Sequence, residues 1–225
     1  MKQYKADFID FLVQCGVLIF GDFVTKSGRN TPYFVNTGNY KKGEQLDKLG
    51  RFYARALLDN IGTDFNNLYG PAYKGIPLAV TASIALSREH KLDVSVTFNR
   101  KEVKDHGEGD GLIGHTYDGT EKVVIIEDVV TAGTSVRESM DILSKNSNPE
   151  VVALIVSVDR MERGTGELTA IDQIIKDFGF PTFPIVNVKE VIEHLHNRPV
   201  DGKIHIDDDM KIKMEAYLEK YGALV

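Results

Sequence analysis

The sequence predicts an α/β protein built on a mostly parallel β-sheet with helices on both faces. Two runs rich in Val and Ile, 123–126 and 151–158, are typical of strands that are buried on both faces. Segments with apolar residues at helical spacing alternate with such runs along the chain. This alternation indicates a parallel sheet, since each helix returns the chain to the end of the sheet where the next strand begins.

The helices are predicted from apolar residues three and four positions apart, as at Leu49, Phe52 and Tyr53. Pro77 suits the first turn of the helix that contains it. The predicted helices are 3–15, 44–60, 77–88, one from about 135, 169–178, 189–195 and 207–221. The predicted strands are 17–25, 33–37, 67–69, 94–98, 123–126, 151–158 and 183–188.

Length and composition favour one domain over 1–225, with a core of about 45–190 and a small hood from about 1–40 plus C-terminal elements. The net charge of −6 argues against general nucleic-acid binding, and no apolar stretch is long enough to span a membrane. Cys15 is the only cysteine, which excludes an internal disulfide and favours a reducing, cytoplasmic location. Its place on the apolar side of the first helix predicts a core residue and not a nucleophile.

Residues 123–135 combine a buried strand, two acids and a hydroxyl-rich loop, and a helix follows. Glu127 and Asp128 stand where the strand should emerge from the sheet. The loop lies at a helix N-terminus, where free N–H groups and the helix dipole favour an anion, and Gly133 permits close approach. Ser135 and Glu138 predict a capping box for this helix.

This order of features suits a ribose 5-phosphate. The phosphate would lie in the loop, and the 2′- and 3′-hydroxyls would donate hydrogen bonds to Glu127 and Asp128. The alternative is a surface strand end followed by a polar turn. It is disfavoured because buried strands rarely end in two adjacent acids that have no use.

The strand, the acid pair and the T-x-G-T-S-like loop resemble the signature of the type I phosphoribosyltransferases, which bind 5-phosphoribosyl 1-diphosphate (PRPP). The resemblance implies the type I phosphoribosyltransferase fold. It also implies PRPP contacts along the whole signature. These contacts are Glu127, Asp128, Val129, Val130, Thr131, Ala132, Gly133, Thr134 and Ser135.

A second strand–loop–helix junction lies at 70–77, with glycines at both ends of its loop. Lys74 stands near the helix start, so backbone amides and an ammonium would converge on an anion. A tight structural turn is the alternative. The segment resembles the diphosphate loop of the same family, which implies ligand contacts for Tyr73 and Lys74.

The charged run 99–110 has almost nothing to bury and predicts a mobile surface loop. Charge runs are usually only solvated surface. This one, however, resembles the lid segment of the orotate phosphoribosyltransferases almost word for word. The resemblance implies that Arg100, Lys101, Lys104 and His106 bind the diphosphate, in the active site of the neighbouring subunit of a homodimer.

The turn after the first predicted strand carries Lys26 and Arg29, and two cations in a turn are usually solvated. The K-S-G-R segment followed by T-P-Y-F nevertheless resembles the same family. It implies that Lys26 reaches both ligands, and that Phe34 and Val35 lie against orotate together with Thr131. The family usually has a second aromatic residue where this chain has Val35.

An Asp-Arg pair ends the predicted strand 151–158, at the side where open parallel sheets bind ligands. A guanidinium suits bidentate binding of a carboxylate. The family has an arginine here that binds the orotate carboxylate, and the resemblance gives that role to Arg160. No chemistry is predicted after Arg163.

A G-x-G-x-x-G match at 109–114 is the one competing motif. A dinucleotide-binding fingerprint must follow a strand and open a helix, and this match follows a charged loop and leads into no predicted helix. We therefore reject dinucleotide binding.

The implied reaction joins orotate to PRPP and gives orotidine 5′-monophosphate and diphosphate, a step of pyrimidine synthesis. The predicted catalytic residues are Lys74, Lys101 and Asp128, which would neutralise the leaving diphosphate and place the ribose. Mg²⁺ is the expected cofactor, carried mainly by PRPP and without direct protein ligands.

Two alternatives stay open. A phosphoribosyltransferase for a purine base would run the same chemistry, but a neutral purine needs no carboxylate clamp such as Lys26 and Arg160. A non-catalytic regulator that senses PRPP would keep the 131–135 loop without needing the basic run.

Overall fold

The structure, a computed structural model, describes residues 1–25, 28–101, 111–131, 133–164 and 166–223. The strands of its central sheet are β3 (Asn67–Tyr69), β4 (Ser95–Asn99), β5 (Leu112–Gly114), β6 (Lys122–Val129), β7 (Glu150–Asp159) and β8 (Thr182–Asn187). Their order in the sheet is β5-β4-β3-β6-β7-β8, and only β5, at one edge, pairs antiparallel. The predicted mostly parallel sheet is therefore confirmed.

Helices cover both faces of this sheet, as predicted. They are α1 (Gln3–Gln14), α2 (Gly43–Asn60), α3 (Gly75–His90), α4 (Thr134–Lys145), α5 (Ala170–Phe178), α6 (Val188–Leu195) and α7 (Asp208–Tyr221). Core residues of α4 and α5 pack on one face, and those of the other five helices pack on the opposite face. In β6, Val124 and Ile126 join the larger core while Val123 and Ile125 join the smaller, because successive strand side chains alternate. This strand is thus buried on both faces.

Two small antiparallel pairs lie outside the central sheet. One joins β1 (Leu18–Val24) to β2 (Asn30–Val35), and the other joins β9 (Pro199–Val200) to β10 (Lys203–Ile204). The β1–β2 pair packs on α7, where the Tyr33 ring meets Tyr217 edge-on at 6.0 Å between centroids. The N-terminal hairpin and the C-terminal helix are therefore in direct contact.

The predicted strand 33–37 is wrong at both ends. β2 runs from Asn30 to Val35, and the chain then turns into a short 3₁₀-helix at Thr37–Asn39. Asn36 starts this turn by accepting a hydrogen bond from the Gly38 amide with its side chain. The turn directs Thr37 toward the central sheet.

The predicted capping box of Ser135 and Glu138 is also wrong. Helix α4 begins at Thr134, and the residue before it is Gly133 in the left-handed conformation at φ 72°. Ser135 therefore already lies in the first turn, where its carbonyl accepts a hydrogen bond from the Ser139 hydroxyl. A serine inside the helix cannot act as its cap.

Cys15 follows α1 and is half-buried against the larger core. Burial raises the pKa of its thiol, so the side chain is not set up as a nucleophile. In the described part of the chain, no helix is both long and apolar enough to cross a membrane.

Candidate active site

Three of the predicted segments meet at one edge of the sheet. Strands β3, β6 and β7 are parallel neighbours, so their carboxyl ends lie side by side. Glu127 and Asp128 occupy the end of β6 and are only 5% and 6% exposed. Gly70 follows β3, and Arg160 follows β7. The acid pair, the second loop and the Asp-Arg pair are thus brought together.

Asp128 collects hydrogen bonds from three elements. Its Oδ2 accepts from the Thr37 hydroxyl at 2.6 Å and from Lys74 Nζ at 2.9 Å. Its Oδ1 accepts from the Val129 amide at 2.7 Å. A buried carboxylate is tolerated only where such partners replace its water. Lys74 itself stays largely exposed, so its ammonium can also face a ligand.

Two side-chain hydroxyls donate hydrogen bonds to the backbone carbonyls of the acid pair. Tyr53 of α2 donates to the Glu127 carbonyl at 2.6 Å, and Ser157 of β7 donates to the Asp128 carbonyl at 2.6 Å. Tyr53 is fully buried and Ser157 nearly so. The end of β6 is therefore fixed from a helix and from the neighbouring strand.

The pKa of Glu127 is shifted by its surroundings. Burial raises the pKa of Glu127 to about 7, and the charge of Asp128 acts in the same direction. A hydrogen bond from Ser135 and the charge of Lys74 lower it in part. Near neutral pH, Glu127 is therefore close to half-protonated.

The loop after the acid pair leads into α4 through Gly133. Its φ of 72° favours glycine, and an added Cβ would lie 2.8 Å from Arg137 NH1. Within the described residues no side chain caps the start of α4, so the first-turn amides remain available to an anion. Thr131 and Thr134 are exposed on this loop.

The second loop is tightly packed at both glycines. A Cβ on Gly70 would lie 2.4 Å from the Gly75 carbonyl oxygen, so neither position has room for a side chain. The Ala72 amide donates to Asn99 Oδ1 at 2.8 Å, which ties the loop to the end of β4. Tyr73 is 64% exposed, and Lys101 Nζ lies 5.3 Å from the centroid of its ring.

Arg160 is 9% exposed and lies over the Tyr33 ring, with its guanidinium carbon 4.6 Å from the ring centroid. One edge of the guanidinium contacts Glu162: Nε and NH2 are 2.8 and 2.6 Å from Oε1. NH2 also lies 3.5 Å from the Thr31 hydroxyl. Arg160 is therefore held in one orientation at the end of β7.

Comparisons with known proteins agree on one family. A phosphoribosyl transferase domain model matches residues 36–182. An orotate phosphoribosyltransferase of Lachnoclostridium phytofermentans is 55% identical over 99% of both chains, and that of Clostridium beijerinckii is 55% identical over 99% of this chain and 100% of its own. A solved structure of the Francisella tularensis orotate phosphoribosyltransferase is 33% identical with a TM-score of 0.83, covering 96% of this chain and all of that one.

The chain belongs to the orotate phosphoribosyltransferase family. The predicted family and its type I fold are therefore confirmed, and the protein is a phosphoribosyltransferase enzyme. The structure agrees with the rejection of a dinucleotide-binding motif at 109–114, because 112–114 form β5 antiparallel to β4 and no helix follows at 115–121.

The structure describes some, but not all, of the ligand-binding residues that were predicted from the sequence. Lys26, Lys104, His106 and Ala132 lie outside the described residues. Arg100 closes the base of the charged run, where its amide donates to the Gly111 carbonyl at 2.7 Å. The ligand roles of all these residues stay predictions.

The β2 residues that contact Arg160 are Tyr33 and Thr31, and sequence analysis did not select either of them. Phe34 points to the other face of β2, where it is 37% exposed and lies 5.8 Å from the Phe23 ring. Val35 packs partly against the larger core. Thr37 and Glu162 were missed as well, because nothing in their local patterns links them to Asp128 or Arg160.

The shifted pKa of Glu127 predicts a specific pH dependence of stability. An unfolded glutamate loses its proton near pH 4.5, whereas folded Glu127 keeps it to about pH 7. The folded state therefore binds the extra proton, and its stability must fall as pH rises between these values. Glu127→Gln removes this effect.

We expect urea unfolding to show the difference directly. Between pH 4.5 and 8, the unfolding free energy of the wild type should fall by about 3 kcal/mol at most relative to Glu127→Gln. If the unfolding free energies of the two proteins changed equally with pH over this range, the raised pKa of Glu127 would be contradicted.

Proposed function

We propose that this protein transfers the 5-phosphoribosyl group of PRPP to orotate, forming orotidine 5′-monophosphate and diphosphate in cytoplasmic pyrimidine synthesis. The observation that carries the proposal is the position of Arg160, a held guanidinium at the strand end next to the buried acid pair. A carboxylate-binding group beside a ribose-phosphate site suits an acidic base such as orotate. Neither a nucleic acid nor a membrane is needed as a partner.

The PRPP site we propose has three parts. The 5′-phosphate binds the 131–135 loop at the start of α4, as open first-turn amides favour. The 2′- and 3′-hydroxyls of the ribose donate to Glu127 and Asp128. The diphosphate binds beside Tyr73, Lys74 and the charged run. The proposed PRPP contacts are Lys26, Tyr73, Lys74, Arg100, Lys101, Lys104, His106, Glu127, Asp128, Val129, Val130, Thr131, Ala132, Gly133, Thr134 and Ser135.

In the proposed mechanism the bond between C1 of the ribose and the diphosphate oxygen breaks, and its electron pair leaves with the diphosphate. A ring nitrogen of orotate bonds to C1, and the proton of that nitrogen passes to the departing diphosphate or to water. Positive charge develops on the ribose while the diphosphate leaves as an anion. Lys74 and Lys101 neutralise the leaving group, and Asp128 keeps the ribose in place. No covalent nucleophile takes part.

Phosphoribosyltransferases generally use Mg²⁺ with PRPP. Among the described residues, no group of three or more His, Cys, Asp or Glu side chains is arranged to hold a metal ion, and Asp128 is paired with Lys74. We propose that the ion is held mainly by oxygens of PRPP. Bound Mg²⁺ would add positive charge beside the diphosphate.

The proposed orotate contacts are Arg160, Lys26, Phe34, Val35 and Thr131. Arg160 binds the carboxylate through the guanidinium edge that faces away from Glu162. Phe34 lies on the face of β2 opposite Tyr33, so its proposed contact with the pyrimidine rests on family resemblance alone.

A turnover assay tests this function against the purine alternative. Loss of orotate absorbance with PRPP and Mg²⁺ should be rapid, and the same protein should convert adenine or hypoxanthine at least about a hundredfold more slowly, because neither base can pair with Arg160. Matched rates with a purine would contradict the orotate assignment. Binding of PRPP without turnover of any base would favour a regulator.

We further propose a homodimer in which the charged run 99–110 serves the partner's active site. In a single chain, Lys101 lies beside its own Tyr73, at the root of the run. Family membership supports the reciprocal arrangement, since two-fold contacts are exchanged symmetrically.

Mixed dimers test whether the charged run 99–110 serves the partner's active site or the active site of its own subunit. Lys101→Ala and Asp128→Ala should each nearly inactivate a homodimer. In a hybrid of the two, one site carries both defects and the other carries neither. Random mixing makes half of the dimers hybrids, so about a quarter of wild-type activity should return.

The matched control mixes Lys74→Ala with Asp128→Ala. Lys74 and Asp128 are bonded within one chain, so every hybrid site stays defective and no activity should return. Mass spectrometry would verify subunit exchange. Exchange without recovery for Lys101→Ala would mean that the run closes over its own subunit.

A further inference from the structure

Glu162 occupies a junction of three elements near the candidate orotate site. Its Oε1 accepts hydrogen bonds from the Tyr217 hydroxyl of α7 at 2.9 Å and from Arg160 Nε at 2.8 Å, and the Tyr33 hydroxyl lies 3.4 Å away. Its Oε2 lies 3.4 Å from Arg29 NH1. The carboxylate side chain is 15% exposed. One glutamate thus joins the N-terminal hairpin, the end of β7 and the last helix.

The contact with Arg160 uses only one edge of the guanidinium. Nε and NH2 both point at Glu162 Oε1, while NH1 has no hydrogen bond among the described residues. A guanidinium can bind two carboxylates through different edges, because its five N–H donors lie in a fixed plane. The edge formed by NH1 and NH2 has only the long 3.5 Å contact of NH2 with the Thr31 hydroxyl, which a second, bidentate carboxylate would replace.

The charge of Glu162 is unfavourable for binding an anionic ligand at Arg160. Glu162 repels an anionic ligand that approaches Arg160 and lowers the net charge of the pocket. Its benefit is geometric, because it fixes the plane of a long side chain that would otherwise lose rotamer freedom on binding. Tyr33 supports the same plane from its face.

We propose that Glu162 is a positioning residue that orients Arg160 so that its remaining edge meets the carboxylate of the acceptor base. The proposal rests on the function proposed above. The ties of Glu162 to Tyr217 and Arg29 extend this positioning to the hairpin and the last helix. Orotate affinity therefore depends also on the last helix, from which no orotate contact is proposed.

The test compares Glu162→Ala, which removes the acceptor, with Glu162→Gln, which keeps an acceptor oxygen and removes the charge. Orotate KM should rise at least about tenfold in Glu162→Ala and less in Glu162→Gln, while the Kd for PRPP changes less than about threefold. Glu167→Ala, on the exposed part of the same loop, is the matched control and should match the wild type.

A double-mutant cycle with Arg160→Ala separates positioning from general stability. If Glu162 acts through Arg160, adding Glu162→Ala to Arg160→Ala should raise orotate KM no further. Glu162→Gln provides the readout if Glu162→Ala fails to fold.

Three results would overturn the proposal: an orotate KM that is unchanged or lowered in both variants, equal losses for orotate and PRPP, or full additivity with Arg160→Ala. Each leaves the proposed function standing if the wild type turns over orotate. A wild type without orotate turnover would instead refute the proposed function.

Discussion

Two adjacent carboxylates are buried at the end of β6, and the surrounding structure is arranged to tolerate them. Removing charged groups from water is costly unless partners replace the water. Thr37 and Lys74 supply such partners to Asp128, while Tyr53 and Ser157 hold the backbone beneath. These partners come from the 3₁₀-turn, the second loop, α2 and β7. The elements that form the site therefore meet at the end of β6, where each supplies a partner to the acid pair.

The same burial gives the two acids different properties. Desolvation raises the pKa of Glu127 to about 7, and the Asp128 charge adds to the effect. Asp128 instead shares a hydrogen bond with Lys74. In the proposed function, one acid can donate or accept toward a ribose hydroxyl, and the other links the ribose site to the diphosphate site through a lysine. Two neighbouring carboxylates can thus play separate roles.

The fold and the main site segments were predictable because their signals are local. The β-branched run before Glu127 indicates a buried strand, and Gly133 before an apolar helical pattern indicates a close turn. The capping box at Ser135 failed because the sequence pattern does not reveal that the chain turns at Gly133 and starts the helix one residue earlier. Strand β2 was misplaced because the turn at Thr37 depends on an Asn36 side-chain bond.

Thr37 and Tyr33 were not predictable for a different reason. Thr37 bonds Asp128 across 91 positions of sequence, and Glu162 meets Tyr33 across 129. Neither contact leaves a periodic or motif signal. Glu162 lies two residues after Arg160, but an acid in a polar loop is usually solvated. Tertiary contacts of this kind become visible only when the hairpin, sheet and last helix are assembled.

Calorimetric binding of PRPP and of diphosphate alone to the wild type and to Asp128→Asn tests the role of the acid pair most directly. The substitution keeps the shape of the side chain but removes a charged acceptor, so PRPP affinity should fall roughly tenfold or more. Affinity for diphosphate alone should stay the same or rise, because Lys74 loses its carboxylate partner. Unchanged PRPP affinity, or an equal loss for both ligands, would contradict a ribose-binding role for Asp128.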